Sequence, residues 1–406
     1  MSGLSFEDAC AFLFARQSAR IKWSLGPTQA LLDILGHPER QFPSVHIGGT
    51  NGKGSTCALV AATLGARGLR VGVYTSPHLV SVRERSVVDG VPIDEDAFAE
   101  WTTYLKPHIE QLDASFFEAT TALVFADLAA RGVHIGVIEV GMGGRLDATN
   151  VITPLVSVVT KIAREHTEYL GSDLASIARE KAGIAKRDVP FVTGERDPAI
   201  REVLVAEAER HGANPVILVD TERPPLGPLG LRGTHQHANA WVALAALDAL
   251  APPFGPAGDA WPGSFADAYL PGRFEVRGRW IFDVAHNPDG ARVLADTLRA
   301  YAPPQPRHAL MGVLGDKDYA GMIKILTEQI DRFVFTTPAS APLQRRWNLE
   351  RLEAELPPSA APAAFEPDFD RALEQVQEGA GTIVVTGSFH TVGDALARLP
   401  GFAAVG

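Results

Sequence analysis

The hydrophobic pattern of this chain alternates between two textures. Short runs rich in Val and Ile are bounded by Gly or polar residues: SVHIGG at 44–49, RVGVYTS at 70–76, IGVIEVG at 135–141, LVSVVTKI at 155–162 and VPFVTG at 189–194. Runs of this length and composition predict buried strands. Longer stretches with helical spacing lie between them, such as 55–68 and 117–131. Strand–helix alternation predicts a mostly parallel α/β sheet with helices on its faces. Near 251–273 the pattern breaks into APPFGPAGDAWPG, a short helical stretch and LPGRFE. Alternation then restarts with RWIFDVA (279–285), HALMGVLG (308–315), RFVFTT (332–337) and TIVVTGS (382–388). This divides the chain into a first domain of residues 1–271 and a smaller α/β domain of residues 272–406. Pro-rich connectors at 302–306 and 356–362 read as surface loops, and no repeat of solenoid period is visible.

Composition narrows the class. The 406 residues allow roughly two or three domains. Apolar residues at 46% and charged residues at 21% are the ordinary globular balance. With 37 basic and 48 acidic residues the net charge is −11, which argues against broad nucleic-acid binding. Two cysteines, Cys10 and Cys57, make no disulfide framework and fit a reducing compartment. Glu7, Asp8 and Arg16 come too early for a signal peptide. No uncharged apolar run reaches the roughly 18 residues of a membrane span. A soluble, cytoplasmic protein without membrane partners is expected. Only eight of the basic residues are Lys, at 22, 53, 106, 161, 181, 186, 317 and 324. Where a chain otherwise chooses Arg, a retained Lys points to a compact ammonium that can lose its proton.

Candidate chemistry follows the strand runs. In VHIGGTNGKGSTCALVAATL (45–64) a strand ends in a glycine-rich turn carrying Lys53, and Ser55–Thr56 open a helix. Strand, loop and helix N-terminus together form a phosphate cradle of backbone N–H groups. The strict G-x-x-x-x-G-K-[ST] pattern is not met, because Gly54 separates Lys53 from Ser55. Ser76 in TSPHL, Glu139 in EVGMGGRLDATN and His166 in KIAREHTEYLG each follow a successive strand run. At the carboxyl ends of parallel strands they would face one crevice. Oxygen ligands and an imidazole suit Mg²⁺ beside nucleotide phosphates. Lys181, in LASIAREKAGIAK, falls on a predicted helix. It is either an exposed lysine beside Arg179 or Glu180, or one of the lysines kept for chemistry.

These segments together resemble the Mur ligase superfamily and, within it, the folylpolyglutamate synthases/dihydrofolate synthases. The segments that carry the resemblance are GTNGKGST, TSPHL…RER, FFEATTAL, EVGMGGRLDATN, EHTEYLG…IAREKAGI, LPGRFE, FDVAHNP, GVLGDKD and VTGSFHTV, in the family's order from Trp23 to about Val392. The resemblance implies a P-loop ATPase-type, mostly parallel sheet domain followed by a smaller Rossmann-like α/β domain. It implies an ATP-dependent ligase that adds L-glutamate to dihydropteroate, to tetrahydrofolates, or to both, through an acyl phosphate. Another Mur-type ligase with a different carboxylate acceptor and a monofunctional folylpolyglutamate synthase stay open. A nucleotide-dependent switch protein, predicting ATP binding without an amide product, is the reading from another class.

Carried over position by position, Gly49, Thr50, Asn51, Gly52, Lys53, Gly54 and Ser55 would hold the ATP phosphates. Ser76, Glu139 and His166 would hold two Mg²⁺ ions. Lys181 matches a lysine that CO₂ converts to a carbamate. Asn239, Arg273 and Asp283 match contacts to ATP, which would lie between the domains. Trp23, Ser24, Leu25, Phe116, Phe117, Glu118, Ala119, Leu146, Asp147 and Ala148 match the pterin–benzoate site. His286 and Ser388 match positions tied to glutamate or catalysis. The resemblance favours a monomer. The chain departs from the family's pattern at Glu165, where Asp is common before the metal histidine, and in the short Pro/Gly-rich stretch 219–238.

Overall fold

A computed structural model describes residues 3–17, 24–165, 167–356, 361–399 and 401. The chain forms two compact units. One runs up to Gly230 and includes His237–Ala268; the other comprises Leu231–Gln236 and the chain from Tyr269 onward.

The first unit is built on an eight-stranded sheet. Its strands are β1 (Ser44–Gly48), β2 (Val71–Tyr74), β3 (Ser86–Val88), β4 (Val91–Pro92), β5 (Ile135–Glu139), β6 (Val156–Val159), β7 (Phe191–Thr193) and β8 (Val216–Leu218). Their order is β4-β3-β2-β5-β1-β6-β7-β8. All neighbours pair parallel except β2 with β3 and β3 with β4. Strands β1, β5 and β6 are buried along their whole length, which is why they read as continuous Val/Ile runs rather than alternating ones.

The helix Phe116–Ala130 is apolar on nearly every side and lies inside the core with Phe42, Tyr74 and Leu31. The ring of Phe125 meets Tyr74 edge-on at 6.4 Å. A second core, around Ile177, Ile184, Phe191 and Leu204, lies on the β6–β7 side. Among the described residues no helix is long and apolar enough to cross a membrane.

The second unit holds a six-stranded sheet: β9 (Glu275–Arg277), β10 (Trp280–Phe282), β11 (Arg307–Met311), β12 (Arg332–Phe335), β13 (Ala363–Phe365) and β14 (Thr382–Thr386). Their order is β13-β12-β11-β14-β10-β9, and only β9 runs antiparallel to its neighbour. Its core mixes aliphatic side chains with a few aromatic ones. Phe335 stacks on Phe333 at 5.2 Å and meets Trp347 edge-on at 5.8 Å.

The strand runs read from the sequence are all strands, each ending earlier than its run; β11 begins one residue before its run, at Arg307. The sequence missed five: β3, β4, β8, β9 and β13. All are two or three residues long; β4, β8, β9 and β13 are edge strands, and β3 lies one strand in, between β4 and β2. Strands so short carry too little periodicity to stand out. The β3–β4 hairpin did have a signal, the Asp89-Gly90 dipeptide at its turn.

Truncating Phe335 to Ala is expected to cost about 3–5 kcal/mol, since the cavity would face Phe333 and Trp347. The volume-keeping Phe335→Leu should cost less than about 1.5 kcal/mol. Urea unfolding followed by circular dichroism measures both.

Candidate active site

β1 lies between β5 and β6, and the chain leaves β1 toward β2 on one side but leaves β5 toward β6 on the other. The loops after β1, β5 and β6 therefore open at one switch point, the place where such sheets bind ligands.

After β1 the backbone turns at Gly49 (φ +129°) and again at Gly52 (φ +95°). Both angles lie where side chains are strained. A Cβ on Gly49 would collide with the Thr160 side chain, and one on Gly52 with Asn239 Oδ1. The left-handed Gly52 serves as the N-cap, so the helix Lys53–Ala66 opens at Lys53 and not, as the sequence suggested, at Ser55. The N–H groups of its first turn have no intrahelical acceptors and are free for an anion.

The loop is pinned from β6. The Thr50 N–H donates to Lys161 O (2.8 Å), the Thr50 hydroxyl to Ala163 O (3.1 Å) and the Thr160 hydroxyl to Asn51 O (2.8 Å). Lys53 Nζ donates to Thr50 O at 3.1 Å.

Lys181 is on the helix Leu174–Ala182, as expected, but the solvent-facing alternative does not hold. It is only 2% exposed, and its Nζ donates to Gly49 O at 2.8 Å. Glu180 pairs instead with Arg145, at 2.9 Å. Burial, reinforced by the nearby Lys53 ammonium, lowers the Lys181 pKa to about 7, with Glu165 and Asp147 opposing. A large fraction of this side chain is therefore a neutral amine near neutral pH.

Glu139 ends β5 and is buried; it accepts the Ser76 N–H at 3.1 Å. This contact joins the carboxyl ends of β2 and β5 and orients the carboxylate. Carboxylate and hydroxyl oxygens in this setting are hard donors that fit Mg²⁺. The third metal candidate, His166, lies outside the described residues, as does Trp23 of the acceptor set.

The remaining acceptor candidates fall into two groups. Phe117 is half-buried, stacks on Tyr74 at 6.2 Å and covers Gly141, at the start of the 141–148 loop. Asp147, in that loop, is buried and caps the turn Ala148–Val151; desolvation raises its pKa. Leu146 and Ala148 flank it. The other group has structural work. Phe116 and Ala119 are in the core, and Glu118 accepts the Ser115 N–H (2.8 Å) and hydroxyl (2.7 Å) in a capping box. Ser24 accepts the Gly26 N–H at 3.1 Å, just before the helix that Leu25 caps.

In the second unit Arg273, Asp283, His286 and Ser388 come together around Phe389. The Arg273 guanidinium lies 5.0 Å from the Phe389 ring centre, and the His286 ring 5.9 Å. Asp283 accepts the N–H groups of Phe274 and Ala285, both at 2.9 Å; desolvation raises its pKa and Arg273 opposes. Ser388 is buried, caps the helix Phe389–Arg398 and donates to Gly312 O at 2.9 Å. Two site residues escaped the sequence reading. Thr160 was visible as the polar residue closing a strand run. Arg85, buried with its guanidinium 5.0 Å from the Phe116 ring centre and its Nε donating to His78, closes the TSPHL…RER segment but was not singled out within it.

Residues 47–225 match the Mur ligase middle domain, and residues 272–389 the Mur ligase glutamate ligase domain. Over 408 residues the chain is 37% identical to the dihydrofolate synthase/folylpolyglutamate synthase of Mycobacterium tuberculosis, covering 88% of this chain and 82% of that protein. The chain belongs to this Mur ligase family. Solved structures of the folylpolyglutamate synthase/dihydrofolate synthase family share the fold. Escherichia coli FolC in complex with DHPP and ADP superposes with a TM-score of 0.82 at 31% identity, over 97% of each chain. A bifunctional folylpolyglutamate synthase/dihydrofolate synthase with Mn, AMPPNP and L-glutamate bound gives 0.83 at 30% identity, over 98% of this chain and 99% of that one. The family's members are ATP-dependent ligases.

For this ligase, Gly49→Ala is expected to displace the loop from Thr160 and weaken ADP binding at least about tenfold. Isothermal titration with ADP and Mg²⁺ measures the loss, and undiminished affinity would refute the loop's role.

Proposed function

We propose that this chain uses ATP to join L-glutamate to dihydropteroate and to tetrahydrofolates, as a cytoplasmic monomer acting on small molecules only. The observation that carries the reading is Lys181 seated on Gly49 O, beside a helix N-terminus and with Glu139 on the adjacent strand. We assign the ATP, metal and acceptor sites to residues 1–271 and glutamate ligation to residues 272–406. In the reaction an oxygen of the acceptor carboxylate attacks the γ-phosphorus, and ADP leaves. The glutamate ammonium loses a proton and the free amine attacks the acyl carbon, forming the C–N bond; the adduct nitrogen loses a second proton and the acyl C–O bond breaks, so inorganic phosphate departs and an amide remains. Charge placement, more than covalent help from the protein, drives phosphoryl transfer.

The residues divide that work. Gly49, Thr50, Asn51, Gly52, Gly54 and Ser55 bring the phosphates to the helix N-terminus, and Lys53 adds a positive charge. Asn239, which packs against the loop at Gly52, is placed to contact the nucleotide. Arg273 and Asp283 take further ATP contacts. Ser76, Glu139 and His166 would hold two Mg²⁺ ions, which neutralise phosphate charge when bound. Phe117, Leu146, Asp147 and Ala148 line the acceptor site together with Ser24 and Leu25, Phe116, Glu118 and Ala119 support it from the core side, and Trp23 is assigned to the same site on the family resemblance alone. His286 and Ser388 serve the incoming glutamate. Lys181, as a neutral amine, adds CO₂ through a new N–C bond and releases one proton, so a buried amine becomes an anionic carbamate.

The first test offers purified protein Mg²⁺, ATP and L-glutamate with dihydropteroate in one tube and tetrahydrofolate in another. ADP release and product mass are read. Glutamate addition to both is expected; addition to one alone narrows the scope, and addition to neither refutes the acceptor assignment.

Lys181→Ala should lose at least about a hundredfold in activity while ADP binding survives. Acetate should restore part of it, and a fully active variant would refute the carbamate. The lowered pKa sets a pH signature for the wild type. Below about pH 7 the ammonium form prevails and cannot react with CO₂. Added bicarbonate should therefore stimulate CO₂-depleted enzyme above that pH and progressively less below it.

A further inference from the structure

His46 sits in the middle of β1 with no exposed surface, and no step proposed above uses it. Its Nε2 is 2.9 Å from Thr149 Oγ1. The Thr149 hydroxyl donates to Asp147 Oδ1 at 2.5 Å, and the Thr149 N–H reaches the same oxygen at 3.0 Å. A hydroxyl has one proton to give. With that proton on Asp147, the Thr149 oxygen is the acceptor of its bond with His46, so the imidazole carries its hydrogen on Nε2. Nδ1 has no hydrogen-bond partner among the described residues. This agrees with the same tautomer, since an N–H there would be a buried, unpaired donor.

Two charged groups bear on this histidine. Burial, with the Lys186 charge adding to it, lowers the His46 pKa to about 3, so the ring is a neutral donor throughout the physiological range. Lys186 itself is tied to Asn150, with Nζ 2.9 Å from the backbone O and 2.8 Å from Oδ1. The second charged group, Asp147, takes the Met142 N–H on its other oxygen at 2.8 Å. The chain from β1 to the 141–148 loop thus runs His46 to Thr149 to Asp147, each donating to the next.

We propose that His46 is a positioning residue for acceptor recognition, which fixes the orientation of the Asp147 carboxylate through the Thr149 hydroxyl. The inference rests on the reading above that Asp147 contacts the pterin-bearing acceptor. Because the His46 Nε2 donates, Thr149 cannot spend its single proton there, and that proton is left for the carboxylate. Orientation held in this way is set by the rigid centre of the sheet, not by the loop alone.

The test compares Asp147→Asn, Thr149→Val, His46→Leu and His46→Gln for kcat, KM for dihydropteroate, KM for ATP and melting temperature. Thr149→Val and His46→Leu are each expected to raise the acceptor KM about tenfold, the size of one hydrogen bond to a charged group, with the ATP KM unchanged. The double variant should be no worse than the poorer single, because both break one chain. His46→Gln, whose amide nitrogen can still donate, should recover most of the loss. If Asp147→Asn raises the acceptor KM but the other variants move only the melting temperature, or shift both KM values together, His46 is a core residue and the inference falls. If Asp147→Asn leaves the acceptor KM unchanged, the assignment of Asp147 fails first and takes this inference with it. Should His46→Leu not fold, the near-isosteric Thr149→Val decides by the same criteria.

Discussion

The bond from the Lys181 ammonium to the Gly49 carbonyl is the constraint around which the first unit's site is arranged. A buried cation is costly unless it is paired or gives up its proton. Here it meets a carbonyl dipole and has Lys53 for a neighbour, and its pKa falls to about 7. Lys181, on the helix Leu174–Ala182, and Lys53, at the start of the helix Lys53–Ala66, both reach this loop, and the Lys53 charge disfavours a second one on Lys181. The cation stays on Lys53, while burial favours the neutral amine on Lys181, the form that adds CO₂ in the reading proposed above.

Several contacts hold Lys181 at that point. The Arg145 N–H donates to Glu180 O at 2.8 Å, and the Arg145 guanidinium reaches the Glu180 carboxylate. Asn150 Nδ2 bridges Arg145 O (2.9 Å) and Gly183 O (3.0 Å). The helix carrying Lys181 is thereby fastened to the 141–150 loop, and the same loop presents Asp147. A displacement of either element would move both the lysine and the candidate acceptor contact. This coupling follows from shared hydrogen bonds, so no separate conformational device is needed to link them.

Much of this could be read from the chain. The buried strands declared themselves through Val/Ile runs, and the glycine-rich turn after the first of them placed the phosphate loop. Lysine scarcity singled out Lys181, because its chemistry depends on residue type. Its burial could not be read, since that depends on β1 and the 141–150 loop meeting its helix, contacts distant in sequence. Glu118 is the opposite case. Ser115 and Glu118 stand at capping-box spacing, a purely local signal that the structure bears out as the helix cap. Thr149 and His46 were invisible for a third reason. Each is an ordinary residue for its element, and only a contact between residues 46 and 149 gives the pair a role.

The chain's overall charge of −11 opposes the substrates proposed for it, since ATP, folates and glutamate are all anionic. At physiological salt that opposition is screened beyond about 8 Å, whereas the groups that receive anions act at contact distance. Backbone N–H groups at the start of the helix Lys53–Ala66 have no intrahelical acceptors, and Lys53 stands at the helix's first position with its Nζ on Thr50 O. The local field at the loop is therefore positive inside an acidic protein. This arrangement also separates binding from non-specific adhesion. A surface basic enough to draw in ATP from a distance would draw in every polyanion as well. A cradle of buried dipoles and Lys53 selects for an anion small enough to enter it.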